Sequence, residues 1–207
     1  MGFIEDGIKY EKVQTDDKKK TVYLIGDSIR IGYCEATKDE LSDIADVIYP
    51  EENCRSSQHI ITSLNSWRSM CDCEKVDLVQ FNCGHWDVAH WFGYETCLTG
   101  EEEYANNIKM IIWLIREFFP NAKIVFATTT PMNPQKTENV NPRTTEEIKR
   151  YNDIAIKAAT EEGIIVNDLF EFTKDWKSEC YLDYCHYTKE SFKDLGVEVA
   201  NRLRSLL

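Results

Sequence analysis

The sequence lacks several features, and each absence removes a class of function. No apolar run approaches the ~20 residues that span a bilayer. Met1 to Tyr10, MGFIEDGIKY, has neither the basic start nor the apolar stretch of a secretory leader. MGFIED also lacks the Ser or Thr that usually follows a myristoylated Gly2. A cytoplasmic chain with no membrane partner is the expectation. Cations are scarce: 24 Lys and Arg face 36 Asp and Glu, a formal net charge of −12. The one basic run, Lys18 to Lys20, follows Asp16 and Asp17 in a polar turn. Nucleic acid is therefore not an expected partner, because neutralising phosphates takes clustered Lys and Arg. No glycine-rich phosphate loop, internal repeat or low-complexity tract is present. Of the eight cysteines none forms a CxxC pair; Cys71-x-Cys73 is the tightest spacing, and Cys83 falls within a strand-like run. Reduced thiols, no metal and no cofactor are the expectation.

What is present suits one buried core. The chain has 207 residues, 43% of them hydrophobic, enough for a single domain over residues 1–207 with residues 1–20 as an amino-terminal extension. Five apolar runs of strand length recur: Thr21–Gly26, Ala45–Tyr49, Val76–Asn82, Lys123–Thr128 and Ile164–Asn167. Continuous β-branched runs of this kind suit strands covered on both faces. Helical patterns separate them. Ser56–Met70 carries Ile60, Ile61, Leu64 and Trp67 at helical spacing, and Glu101–Phe119 opens acidic before a broad isoleucine face. Thr144–Glu162 begins with a capping-box-like TTEE and stops at Gly163, and Thr188–Leu207 opens with TKES. Ile29–Ile44 is expected to include a loop. The alternation predicts an α/β fold, a three-layer α/β/α sandwich around a flavodoxin-like five-stranded parallel sheet. Ligands of such sheets gather beyond the carboxyl ends of the strands. Residues just after each strand therefore carry most weight, including the irregular loop Thr129–Pro142, which holds three of the five prolines.

The first such turn is the most informative. In TVYLIGDSIRIGY a strand ends in Gly26-Asp27-Ser28 and a helical stretch follows. Asp27 or Ser28 there could simply cap the helix. Alternatively, Ser28 is a nucleophile whose hydroxyl stands at the sheet edge, where a helix amino terminus favours developing negative charge. A nucleophilic serine needs a base, and only four histidines exist: His59, His85, His90 and His186. His59 lies in a helical pattern, and His85 and His90 read as pocket or surface residues. His186 stands just before the last helix, three residues after Asp183. On a turn, that spacing lets the carboxylate accept from imidazole Nδ1–H and leaves Nε2 free to take the serine proton.

A serine after the first strand and Asp-x-x-His after the fifth together resemble the SGNH (GDSL-type) hydrolase family, in a divergent carbohydrate-esterase-like branch. Gly26-Asp27-Ser28 corresponds to the nucleophile block and Asp183-Tyr184-Cys185-His186 to the DxxH block, so the resemblance runs from Thr21 to Leu207. It implies catalytic Ser28, Asp183 and His186, and backbone oxyanion donors at Ser28 and in the loop Tyr49–Ser57, where Cys54 takes a glycine's place between Asn53 and Arg55. The third block, normally Gly-x-Asn-Asp, reads Gly84-His85-Trp86-Asp87, with Trp86 where the oxyanion asparagine is expected. The indole N–H of Trp86 or the amide of Asn82 is then the remaining donor. Asp27, Asn53, Arg55, Gly84, His85 and Trp91 are the expected substrate contacts, and the loop aromatics Trp86, Trp91, Phe92 and Tyr94 could stack on a sugar. Asn133 and Arg143, bordering the proline-rich loop, could touch substrate.

The implied function is a serine ester hydrolase removing small, acetyl-like groups from a carbohydrate, with a small-molecule or oligosaccharide ester as its partner. A lipase- or thioesterase-like acylhydrolase and a non-catalytic acyl-sugar-binding module are the alternatives. A phosphate-binding or receiver domain using Asp27 lacks a supporting acidic cluster. The sequence carries no signal for oligomeric state.

Overall fold

At the centre of the protein, seen in a computed structural model that describes residues 10–136 and 138–207, lies a five-stranded sheet in the order β2-β1-β3-β4-β5. The strands are β1 (Lys20–Ile25), β2 (Ala45–Ile48), β3 (Leu78–Phe81), β4 (Lys123–Ala127) and β5 (Ile165–Asn167). Every neighbouring pair is parallel. The flavodoxin-like α/β sandwich expected from the sequence is the fold observed.

Alternation along each strand divides the core between the two faces of the sheet. Tyr23, Ile25, Val79, Phe81 and Phe126 pack with α2 (Ser57–Trp67), α3 (Glu101–Phe118) and α4 (Thr145–Glu161). Val22, Leu24, Leu78, Val125 and Ala127 pack on the other face with α1 (Ser28–Leu41) and α6 (Lys189–Arg204). A short helix, α5 (Leu169–Thr173), follows β5. Each fully buried Leu, Ile or Phe in these layers contributes about 1.5–3 kcal/mol of apolar burial. Among the described residues no helix is long and apolar enough to cross a membrane.

Caps fix where the helices begin. Asp27 accepts from the Ile29 N–H to open α1, and Ser56 opens α2. Thr144 and Glu147 form the capping box that TTEE suggested, and Thr188 accepts from the Ser191 N–H to open α6.

Two expectations are corrected. In Ile29–Ile44 the non-helical part is confined to the short turn Ser42–Ile44: α1 runs unbroken from Ser28 to Leu41 because α6 packs along it, with the Thr37 hydroxyl donating to the Gly196 carbonyl at 3.0 Å. The extension is shorter than residues 1–20, since Lys20 already belongs to β1. Residues 10–19 are bound to the domain: the Tyr10 N–H donates to Ser69 Oγ, and the Val13 N–H to the Met70 carbonyl. Residues 1–9, on which the leader and lipidation readings fall, lie outside the described residues.

Candidate active site

Five segments beyond the carboxyl ends of the strands meet at one rim. β1 ends at Ile25, and Asp27 turns the chain directly into α1. Ser28 thus becomes the first residue of that helix, with its hydroxyl at the rim. The segment after β5 returns to the same place through an antiparallel bridge between Tyr181 and Tyr187. Within that turn Asp183 Oδ1 accepts from the N–H groups of Cys185 and His186 at 2.9 and 2.8 Å. These two bonds orient the carboxylate, and its second oxygen, Oδ2, lies 2.8 Å from His186 Nδ1. The other ring nitrogen, Nε2, lies 2.8 Å from Ser28 Oγ. A continuous hydrogen-bonded chain therefore joins Ser28, His186 and Asp183 across 158 residues of sequence. Partial burial pushes the Asp183 carboxyl up, but the Cys185 and His186 N–H donors and the imidazole outweigh it and hold the group below the usual carboxylate range.

A cavity of about 160 Å³ adjoins Ser28 and His186. Drug-sized ligands occupy pockets of roughly 300–1,000 Å³, so this one suits a small group. Asn53, His85, Trp86, Trp91 and Arg143 line it, as the sequence suggested, together with Asn141 and Tyr184. Trp86 and Trp91 pack ring against ring at 5.0 Å. Their loop is tied to the proline-rich loop: the His90 N–H donates to the Pro142 carbonyl, and the Phe92 N–H to Asn141 Oδ1. Phe92, with φ +53°, is 84% exposed and presents its ring outward beside the site. Burial and the neighbouring Arg143 guanidinium hold His85 well below the usual imidazole range, so its ring is neutral. Its Nδ1 accepts from Arg143 Nε at 3.2 Å, which leaves Nε2–H to donate to Thr130 Oγ1 at 3.3 Å.

Several expected contacts lie elsewhere. Asp27 is fully buried and engaged with the Ile29 N–H and Asn82 Nδ2, so it caps α1 and does not reach a substrate. Asn82 is buried, donates from Nδ2 to Asp27 and does not line the cavity. The Cys54 N–H donates to the Gly26 carbonyl at 3.1 Å, and its thiol is buried beside Arg30, so Cys54 is not the loop's free donor. The glycine-like position is instead Arg55, one residue later, whose φ of +54° is the left-handed conformation glycine favours. Its N–H donates to Asn53 Oδ1, and its guanidinium sits over the Trp86 ring at 5.7 Å, outside the cavity lining. Gly84 is buried at φ +143°, where an added Cβ would fall 2.1 Å from Thr129 Oγ1; it serves close packing, not substrate. Asn133, fully buried, braces the Asp183 turn by donating from Nδ2 to the Asp183 carbonyl. Ser28 and Trp86 remain as oxyanion candidates on the cavity wall, and the Asn53 amide joins them.

Asn141 and Tyr184 are not among the residues that the sequence motifs mark. Tyr184 sits inside the DxxH block and could have been noticed there; Asn141, in an irregular loop, carried no signal. Among the described residues the side chains that converge as cation ligands would are Asp183, Cys185 and His186, whose donor atoms lie within 4.8 Å of one another. The imidazole and carboxylate of that group are already bonded as above, and Arg143 Nη2 approaches the thiol at 3.4 Å. All eight cysteines are free thiols.

Comparison with known proteins gives the chain relatives. The chain is 30% identical over 107 residues to the GDSL esterase/lipase CPRD49 of Arabidopsis thaliana, covering 47% of this chain and 42% of that one. The chain thus spans less than half the length of the curated relatives it matches. Among solved structures, a lipase/acylhydrolase from Enterococcus faecalis superposes with a TM-score of 0.72 at 17% identity, over 91% of this chain and 97% of that one. Est24, a carbohydrate acetylesterase from Sinorhizobium meliloti, does so at 0.70 and 16% identity, over 91% and 100%. At such identities the structures speak for the fold alone. The family profile matches residues 24–191, from within β1 to the first turn of α6 and so across both ends of the Ser28–His186–Asp183 chain, and the protein belongs to the GDSL-like lipase/acylhydrolase family.

Proposed function

We propose that the protein is a serine ester hydrolase that removes small, acetyl-like groups from a carbohydrate through an acyl-enzyme. The observation that carries this reading is the hydrogen-bonded chain from Ser28 Oγ through His186 to Asp183, with 2.8 Å at each link to the imidazole. Ser28 attacks the acyl carbonyl while His186 Nε2 takes its proton. Asp183 fixes the ring tautomer and stabilises the imidazolium that forms. The oxyanion is held by the Ser28 N–H at the amino terminus of α1, with side-chain donors from Asn53 and Trp86. His186 then returns the proton to the leaving alcohol, and water attacks the acyl-serine by the same route. The small cavity favours a short acyl group, and the ring faces of Trp86, Trp91 and Phe92 offer stacking surfaces for a sugar. The likeness to a carbohydrate acetylesterase fold agrees with that choice.

A fluorophosphonate probe followed by peptide mapping tests the chemistry. The expected label is on Ser28 and is lost in His186→Ala. With p-nitrophenyl acetate, Ser28→Ala should fall to the uncatalysed rate. Across a panel of acetylated sugars and longer-chain esters, a uniform preference for long chains would remove the carbohydrate reading and leave a lipase-like enzyme. A second reading, a module that grips acyl sugars without cleaving them, draws on the engagement of Cys54 and Asn82 in other bonds. Equal turnover by wild type and Ser28→Ala would favour it.

A further inference from the structure

The polar groups around the cavity have an unbalanced inventory. Asn53 Oδ1 accepts from the Arg55 N–H at 2.8 Å, and Asn141 Oδ1 accepts from the Phe92 N–H at 3.0 Å. Each amide therefore has its acceptor engaged and its Nδ2 hydrogens left to offer. Trp91 Nε1 is buried without a partner. The lining is thus rich in donors and poor in available acceptors.

Arg143 adds a charge to that wall. Its Nε donates to His85 Nδ1, its Nη1 to the Asn141 carbonyl and its Nη2 to Cys185 Sγ, at 3.2, 3.1 and 3.4 Å. The guanidinium lies over the Tyr184 ring, 5.4 Å from its centroid. All these partners are neutral, and among the described residues no carboxylate forms an ion pair with it. Asp27, which feels its field, is bonded to Ile29 and Asn82 instead. Three of the five N–H groups of the guanidinium are engaged, and two remain. Four neighbours hold this cation rigidly in the wall of the cavity that adjoins Ser28, in a chain whose net charge is −12. Partly desolvating a guanidinium without a counter-ion is unfavourable. A ligand that supplies the missing anion offsets that cost, and the planar fork of arginine matches a carboxylate in two-point contact.

We propose that the substrate is an ester whose alcohol portion bears a carboxylate, such as an acylated sugar acid, and that Arg143 binds that carboxylate. The proposal rests on the esterase reading above. Because an acetyl-like acyl group carries no charge, the anion belongs to the alcohol side.

The test compares two acetyl esters of the same shape, 4-acetoxybenzoate and 4-acetoxybenzamide. Wild type is expected to favour the anionic ester in kcat/KM by about tenfold or more, mainly through KM, as a charge-assisted contact predicts. In Arg143→Gln the ratio should fall to within about twofold of one, and Arg143→Lys should keep part of it. Both rates can drop in these variants, because Arg143 also braces His85; the ratio is the readout. A measurement that needs no variant is inhibition of wild-type turnover of the amide ester, where 4-hydroxybenzoate should compete and 4-hydroxybenzamide should not. A wild-type ratio near one with both esters cleaved overturns the carboxylate proposal and leaves the esterase intact, as does a ratio that survives Arg143→Gln. If wild type cleaves neither ester faster than Ser28→Ala does, the esterase reading falls and this proposal falls with it.

Discussion

Asp183 combines two roles in one side chain. Oδ1 holds the turn by accepting two backbone N–H groups, and Oδ2 faces the imidazole. Asp183→Asn separates these roles. The amide oxygen can still accept both N–H groups, so the melting temperature should move little. The negative charge that supports the imidazolium disappears, and a donor is presented to the ring in place of an acceptor. We expect kcat to fall by roughly 10³–10⁴-fold with KM near that of wild type, read from steady-state kinetics on p-nitrophenyl acetate. A fall in kcat accompanied by an equal loss of stability would instead assign Asp183 to the turn alone. The same residues explain what the sequence disclosed. The Asp-x-x-His spacing and the serine after a strand are local patterns, and local geometry determines their outcome: a three-residue turn and a capped helix. The Asp27–Asn82 bond joins positions 55 apart, and the left-handed conformation of Arg55 belongs to a residue type that rarely adopts it. Neither leaves a trace in nearby sequence, so of the expected oxyanion donors Ser28, Cys54, Asn82 and Trp86 the sequence does not reveal that the Cys54 N–H is bonded to Gly26 and that Asn82 is buried against Asp27.

At the scale of elements, α1 and α6 decide whether nucleophile and base meet. Ser28 begins α1, and His186 stands three residues before α6 begins. The helices pack through two glycines. A Cβ at Gly32 would lie 2.2 Å from the Phe192 ring, and one at Gly196 would lie 2.6 Å from Ala36 Cβ and 2.8 Å from the Tyr33 carbonyl oxygen. Gly196→Ala therefore sets two effects against each other. Alanine gains about 1 kcal/mol of helix propensity over glycine, while overpacking a tight contact costs about 1–3 kcal/mol. One of the opposing atoms is backbone and cannot swing aside, so the packing cost wins. We expect a net loss of about 1 kcal/mol or more in urea denaturation, with a several-fold drop in kcat as the helices separate and the Ser28–His186 contact lengthens. A stabilised variant with full activity would show that this interface does not set the contact. The pairing also explains why α1 carries a weak helical signal. Gly32 and the β-branched Ile31 and Thr37 weaken its helical signal, and the compensating partner is α6, more than 150 residues away in sequence. Strands fared better, since β-branched runs covered on both faces mark themselves.

For the molecule as a whole, acidity and buried carboxyls act together on stability. The chain carries a formal charge of −12 at pH 7 and a pI near 4.8, so self-repulsion eases as pH falls toward 5. Asp87 adds a specific contribution. It is fully buried beneath the site loop, accepting from the Ser57 N–H, the Ser57 hydroxyl and the Thr99 hydroxyl. Burial outweighs these bonds and pushes its carboxyl up from 3.8 to about 6. The folded state therefore favours the protonated form. The stabilisation this gives is fully present below the unfolded carboxyl value of about 3.9 and is lost as pH rises through the folded value. Asp87→Asn removes the titration while leaving an amide oxygen to accept from Ser57. The overall charge background is nearly common to both proteins, so their difference in unfolding free energy isolates Asp87. Between pH 4 and pH 7.5 that difference should shift in favour of the asparagine variant by on the order of 2–3 kcal/mol, with most of the change between pH 4 and 6, the interval separating the unfolded and folded values. Parallel urea titrations across this range measure it. A difference that stays flat would mean that Asp87 ionises as readily inside the fold as outside it, and that its three donors fully offset burial.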